Sequence, residues 1–108
     1  MHELAIAESV VSAVLERTDR HVSVVRLRVG QLSGVVPDAL TFCFEIATVG
    51  TPLEGAVLEI EEQRGRAQCR SCGQEFSLDD AILLCPCGSA DVELLAGRDL
   101  SVTSVEVA

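Results

Sequence analysis

Tryptophan, tyrosine and lysine are absent from this 108-residue chain, and aromatic residues make up only 3% of it. A core built without large rings must be aliphatic, and the 48% hydrophobic content is carried mainly by Val, Leu, Ile and Ala. Positive charge is scarce: all eight basic residues are arginines, set against seventeen Asp and Glu, for a net charge of −9. Such a chain repels phosphate backbones, which speaks against nucleic acid as a main partner and favours a cation or a basic protein surface. The same acidity also serves solubility. No apolar run reaches the length that spans a bilayer. The opening Met1-His2-Glu3-Leu4 has neither the basic start nor the cleavage site of a signal peptide. The expected location is the cytoplasm, with no membrane partner. The length suits one small domain, or one core with a satellite.

Cysteine is concentrated instead. Four of the five cysteines fall in Cys69-Arg70-Ser71-Cys72 and Cys85-Pro86-Cys87, each pair followed at once by a glycine, Gly73 or Gly88. Two pairs of thiolates at tight turns are what a tetrahedral four-cysteine metal site requires. Cytoplasmic thiols stay reduced, so the cluster reads as ligands rather than disulfides. Zinc is the default ion, because Zn²⁺ imposes no d-electron geometry; a rubredoxin-like iron site is the other metal consistent with four thiolates. Glycine after each second cysteine permits the positive φ that turns backbone amides toward sulfur. The second pair is unusual in having one intervening residue rather than two to four. Side chains at i and i+2 converge on one ion only in a turn tighter than an ordinary knuckle, which Pro86 favours by fixing φ. Cys85 and Cys87 therefore rank below Cys69 and Cys72. Cys43, alone in Thr41-Phe42-Cys43-Phe44, is expected to be a small buried hydrophobe.

A four-thiolate site closes the coordination sphere, and no histidine lies near it, so an enzyme with catalytic zinc is not expected and no catalytic residue is assigned. The alternative function is a zinc-ribbon module binding protein or nucleic acid. Against nucleic acid, residues 69–89 set Arg70 against Glu75, Asp79 and Asp80, with Phe76 as the one ring for stacking.

Periodicity predicts a helix over about 3–18, with Leu4, Ala7, Val11, Val14 and Leu15 on its apolar stripe. Alternation in Val22–Val29, with arginines at 26 and 28, predicts a strand with one wet face. Gly30–Gly34 reads as an ordinary turn. Pro37 opens a second helix running to about Val49, with Leu40, Phe44 and Ala47 facing inward. Further strands are expected over 56–61, 92–95 and 100–107, the last returning to the main sheet. The segment 67–92 is too poor in apolar residues to fold without metal. The predicted class is α+β: a small mixed sheet packed against two helices, with an inserted four-cysteine, zinc-ribbon-like module. Residues 1–66 and 93–108 form the main domain and 67–92 the zinc-binding one.

The N-terminus holds the second constellation. A retained Met1 places an α-amine, the amide nitrogen of His2 and its imidazole in one short array beside Glu3. Nitrogen-rich planar donor sets favour Ni(II) or Cu(II) over zinc. A histidine this close to a terminus is also an ordinary solvated side chain, and the residues alone leave both readings open. His21 has no partners nearby in sequence and is expected on the surface.

Taken together, the chain resembles the HypA/HybF family of hydrogenase nickel-incorporation proteins. The likeness rests on Met1-His2-Glu3-Leu4 opening a helix with Ile6, Ser9 and Val10-Val11, and on the strand Val22–Val29 leading into Gly30-Gln31-Leu32-Ser33-Gly34-Val35. Leu40-Thr41-Phe42, the two cysteine pairs with Gly88-Ser89, and the closing Val105-Glu106-Val107 complete it. It covers nearly the whole chain in order. The resemblance implies a metallochaperone with one structural Zn(II) on Cys69, Cys72, Cys85 and Cys87. It implies Ni(II) as transient cargo at His2, with backbone donors from His2 and Glu3. Asp38 lies where some relatives carry an acidic residue near the nickel. The implied partners are a nickel-handling, HypB-like GTPase and the hydrogenase large subunit. The Cys85-Pro86-Cys87 step departs from the commoner family spacing.

Overall fold

The computed structural model describes residues 2–80 and 82–108. Two helices and six strands make up the described chain, both helices in its first half. They are α1 (Glu3–Leu15), β1 (Val22–Gly30), α2 (Pro37–Ala47), β2 (Val57–Gln63), β3 (Arg66–Cys69), β4 (Glu75–Ser77), β5 (Val92–Ala96) and β6 (Leu100–Val107). The strands form two three-stranded sheets, ordered β2-β1-β6 and β4-β3-β5. The chain divides into two compact units. The first comprises Met1–Arg28, Gly34–Glu61 and Ser101–Ala108, and the second Val29–Ser33 and Glu62–Leu100. The segment 67–92 lies inside the second. No helix among the described residues is long and apolar enough to cross a membrane.

The first unit contains both helices, and α1 and α2 pack on each other within it. α1 buries Glu3, Ala7, Val10, Val11 and Val14. Leu4 and Leu15, expected on the apolar stripe, face solvent instead. The stripe is rotated so that Glu3 enters the interior, where its carboxylate has a backbone partner. The helix also stops sooner than its periodicity suggests: the N–H groups of Arg17 and Thr18 both fold back onto the carbonyl of Val14, at 3.0 and 3.1 Å. Arg17 is thereby left beyond the last turn. In β1, Val25, Leu27 and Val29 are buried as their alternation requires. On the opposite face Arg26 pairs with Glu59 of β2 at 2.9 Å and with Glu106 of β6, and Arg28 pairs with Glu61. These cross-strand pairs are exposed and worth at most about 1 kcal/mol each, so they fix register more than stability.

Proline at the start of α2 sacrifices an N–H that has no helical partner there. Leu40 and Phe44 point inward, and Phe44 is the largest fully buried side chain in the molecule. Truncating it to alanine removes a fully buried ring from the core. Phe44→Ala is expected to cost about 3–5 kcal/mol, read as a lowered urea midpoint at unchanged slope.

The second unit is built on β3, which pairs antiparallel with β4 (Ala67 opposite Phe76) and with β5 (Cys69 opposite Val92). The segment 30–34 is more than a turn. Gly30 N–H donates to the Asp99 carbonyl at 2.7 Å, Gln31 N–H to Gln63 at 2.8 Å, and Leu32 N–H to Gly97 at 2.7 Å. The Gln31 side-chain oxygen accepts the Gly65 N–H at 2.8 Å. Backbone meets backbone here where Gly30 faces Gly97 and Gly97 faces Gly65, while the side chains of Leu78 and Leu32 crowd Gly65.

Candidate metal centre

Cys69 ends β3, and Cys72 lies in the turn that follows it. That turn is closed by Gly73 N–H donating to the Cys69 carbonyl and Cys69 N–H to the Gln74 carbonyl, both at 2.9 Å. In the second turn Gly88 N–H reaches the Cys85 carbonyl at 2.8 Å and Cys85 N–H the Ser89 carbonyl at 2.9 Å. Gly73 and Gly88 have φ of 79° and 95°, the left-handed region that each turn needs. The expectation for both glycines holds.

The four sulfurs converge. All lie within 4.8 Å of one another. Cys69 Sγ stands 3.8 Å from Cys87 Sγ, and Cys72 Sγ 3.7 Å from Cys85 Sγ. A regular tetrahedron of thiolates about 2.3 Å from a zinc ion has edges of about 3.8 Å. The donor set therefore fits Zn²⁺ in number, chemistry and spacing. The one-residue gap is accommodated because the Cys87 N–H turns back onto Cys85 Sγ at 3.4 Å, as the Cys72 N–H does onto Cys69 Sγ at 3.4 Å.

Electrostatics divide the sulfurs. Cys69 and Cys85 are buried, at 1% and 2% exposure, while Cys72 and Cys87 are exposed. The Cys72 N–H, with that of Ser71, lowers the Cys69 thiol to about 6. Burial pushes the Cys85 thiol up to about 12. A divalent cation among the sulfurs supplies the positive charge that a buried thiolate lacks.

Two supports had no signal in the cysteine spacing. Ser71 and Ser89 share a hydrogen bond of 2.9 Å that ties one cysteine turn to the other. Arg70 pairs with Asp91 at 3.0 Å and also donates to the Val92 carbonyl, holding the first turn to the start of β5.

At the other constellation, His2 is exposed and precedes α1, its carbonyl accepting the Ile6 N–H at 3.0 Å. Its imidazole makes no capping bond. Glu3 is 6% exposed, and its carboxylate accepts the Val36 N–H at 3.2 Å. The positive terminal amine, and after it that N–H, hold the Glu3 carboxyl below the usual carboxylate value. Asp38 is exposed in the first turn of α2, two residues beyond Val36. Among the described residues His2, Glu3 and Asp38 do not form a cluster of side-chain donors, and the four cysteines do. Cys43 is half-buried rather than buried, because it lies on the flank of α2 away from Leu40 and Phe44. His21 is exposed, as expected.

A small α+β chain with a four-thiol centre in one unit and an exposed N-terminal histidine in the other has the make-up of a metal-binding protein. The family model described as "Hydrogenase/urease nickel incorporation, metallochaperone, hypA" matches residues 1–107, and the chain belongs to the HypA family. It is 44% identical over 108 residues to the hydrogenase maturation factor HypA of Nostoc sp., covering 99% of this chain and 96% of that protein. It is 48% identical over 112 residues to the factor of the same name from Streptomyces avermitilis, covering 97% and 86%. Its fold matches the solution structure of the Ni metallochaperone HypA from Helicobacter pylori, with a TM-score of 0.68 over 99% of this chain and 97% of that one, at 20% identity.

Proposed function

We propose that this chain is a nickel carrier rather than an enzyme, binding Ni(II) reversibly at its N-terminus and passing it on during maturation of a nickel hydrogenase. The observation that carries the reading is the family match over residues 1–107, joined to an imidazole at His2 that is exposed and uncommitted. His2 supplies the side-chain donor, with backbone nitrogens of His2 and Glu3 beside it. Glu3 contributes little through its carboxylate, which is turned inward onto Val36. It acts by anchoring the first turn of α1, so that the donors ahead of it are presented outward. Asp38 is a further candidate near that anchor. Cys69, Cys72, Cys85 and Cys87 hold a structural Zn(II), with 67–92 as the zinc-binding domain and 1–66 and 93–108 as the nickel-binding one. The partners in this reading are a HypB-like GTPase and the hydrogenase large subunit, in the cytoplasm.

An exposed terminal site suits cargo that must be released, and protons compete for its nitrogens, so acidification favours release. Calorimetry on tag-free protein tests the proposal. Wild type is expected to bind one Ni(II) per chain beside one retained zinc. His2→Ala is expected to lose at least tenfold in nickel affinity with zinc content unchanged. Equal nickel affinity in the two proteins would overturn it.

A further inference from the structure

α2 is apolar on two opposite faces. One carries Leu40 and Phe44, both buried, with Thr48 just past the helix end on the same side. The other carries Ala39, Phe42, Cys43, Ile46 and, just past the helix end, Val49, which recur at three- and four-residue steps. On that second face Phe42 is 63% exposed, Ile46 52% and Val49 68%. An apolar face on a helix is normally covered. Phe42 is one of three aromatic side chains in the chain, and it stands in solvent. These three side chains leave roughly 300 Å² of apolar surface in one strip, the scale of a functional patch.

The edge of the strip has one sign of charge. Residues 34–58 contain Asp38, Glu45 and Glu54 and no basic side chain. Asp38 and Glu45 lie on α2 along one border of the strip, and neither is among the ion-paired carboxylates. Beyond Glu45 a groove of about 480 Å³ opens between α2 and β2, lined by Thr41, Thr48, Ala56, Val57 and Leu58.

We propose that this outer face of α2 docks an amphipathic helix of another protein, apolar along one stripe and edged with Lys or Arg. Phe42 and Ile46 are the apolar anchors. Asp38 and Glu45 receive the basic edge, and the groove beside β2 accommodates the long stems of those side chains. A second copy of this chain is a poor occupant on two counts. Each copy carries −9, and two such surfaces repel. The strip is also well short of the roughly 800 Å² per partner of a standard interface. The inference does not rest on nickel binding, and its test contains no nickel.

The probe is a synthetic Leu/Lys amphipathic helix, with a Leu/Glu helix of the same pattern as control, titrated into the full zinc-containing chain and followed by fluorescence anisotropy. The Leu/Lys helix is expected to bind and the Leu/Glu helix not. Phe42→Ser with Ile46→Ser is expected to weaken binding at least tenfold. Asp38→Asn with Glu45→Gln is expected to weaken it several-fold and to flatten its salt dependence. Glu8→Gln with Glu16→Gln removes the same charge from exposed positions on and just past the end of α1 and is expected to leave binding unchanged. Equal losses in the α1 and α2 charge variants mean unspecific attraction and overturn the proposal. So does a sedimentation-detected dimer that Phe42→Ser with Ile46→Ser dissolves, since a second copy then covers the strip.

Discussion

Cys85→Ser is expected to empty the metal centre and unfold the β4-β3-β5 sheet. The buried hydrophobic side chains of the second unit outside the cysteines are Val29, Ala67 and Leu78. Full burial of a leucine stabilises by roughly 1.5–3 kcal/mol, far below the ordering cost of some forty residues. Zinc bound to four thiolates in small modules contributes about 10–16 kcal/mol, so in the proposed reading the ion holds this unit together. Serine keeps the shape but offers a poor ligand at a buried position whose partner sulfur, on Cys72, is 3.7 Å away. Two readouts check this. Zinc per chain falls from one to near zero after dialysis against a mild chelator, and amide hydrogens of β3–β5 exchange at the rate of an unfolded chain. Cys43→Ser, outside the cluster, leaves both unchanged. Native protection in metal-free Cys85→Ser would show that the sheet stands alone.

The second large effect is expected at Gly30, a residue with no part in metal chemistry. A Cβ there falls 2.2 Å from the Gly97 carbonyl oxygen and 2.7 Å from the Arg98 nitrogen, both rigid backbone. Relief requires the strands to part, which breaks the bonds from Gly30 N–H to Asp99 and from Leu32 N–H to Gly97, each at 2.7 Å. Leaving buried backbone groups unpaired costs about 1–3 kcal/mol apiece, so Gly30→Ala is expected to lose about 3 kcal/mol or more. Gly50→Ala is the useful comparison. No atom lies within 4 Å of its Cβ, and the cost is the positive φ of 77° alone, about 1–2 kcal/mol. Urea unfolding of the two variants separates backbone collision from backbone strain. If Gly50→Ala is the worse of the pair, the close approach at Gly30 is not what the structure depends on.

How legible the molecule is from its sequence differs by element. β1 and α2 are plain because a two-residue and a helical period persist over nine and eleven residues. The rotation of α1 is hidden because its apolar residues nearly encircle it, and the sequence pattern gives no sign that Glu3 turns inward to accept the Val36 N–H. β3 and β4 span four and three residues, too short for any period to register. The metal centre is legible from cysteine and glycine spacing, including the difficulty at Cys85-Pro86-Cys87. The resolution of that difficulty, an amide turned back on the neighbouring sulfur, is a matter of geometry that residue types do not encode. The Ser71–Ser89 link joins residues eighteen apart in different turns and leaves no local trace. The exposed side of α2 was visible as apolar residues at helical spacing, but composition cannot say which of two apolar faces is left uncovered.

The order β2-β1-β6 has a consequence on the ribosome. β1 is the central strand, and β6, one of its two neighbours, is separated from β2 by residues 64–99. At about 5–20 residues per second, that stretch takes roughly 2–7 seconds to synthesise. Throughout it β1 has one free edge, and both cysteine turns are translated before β6 is. All four cysteine ligands are thus available before the first sheet can close.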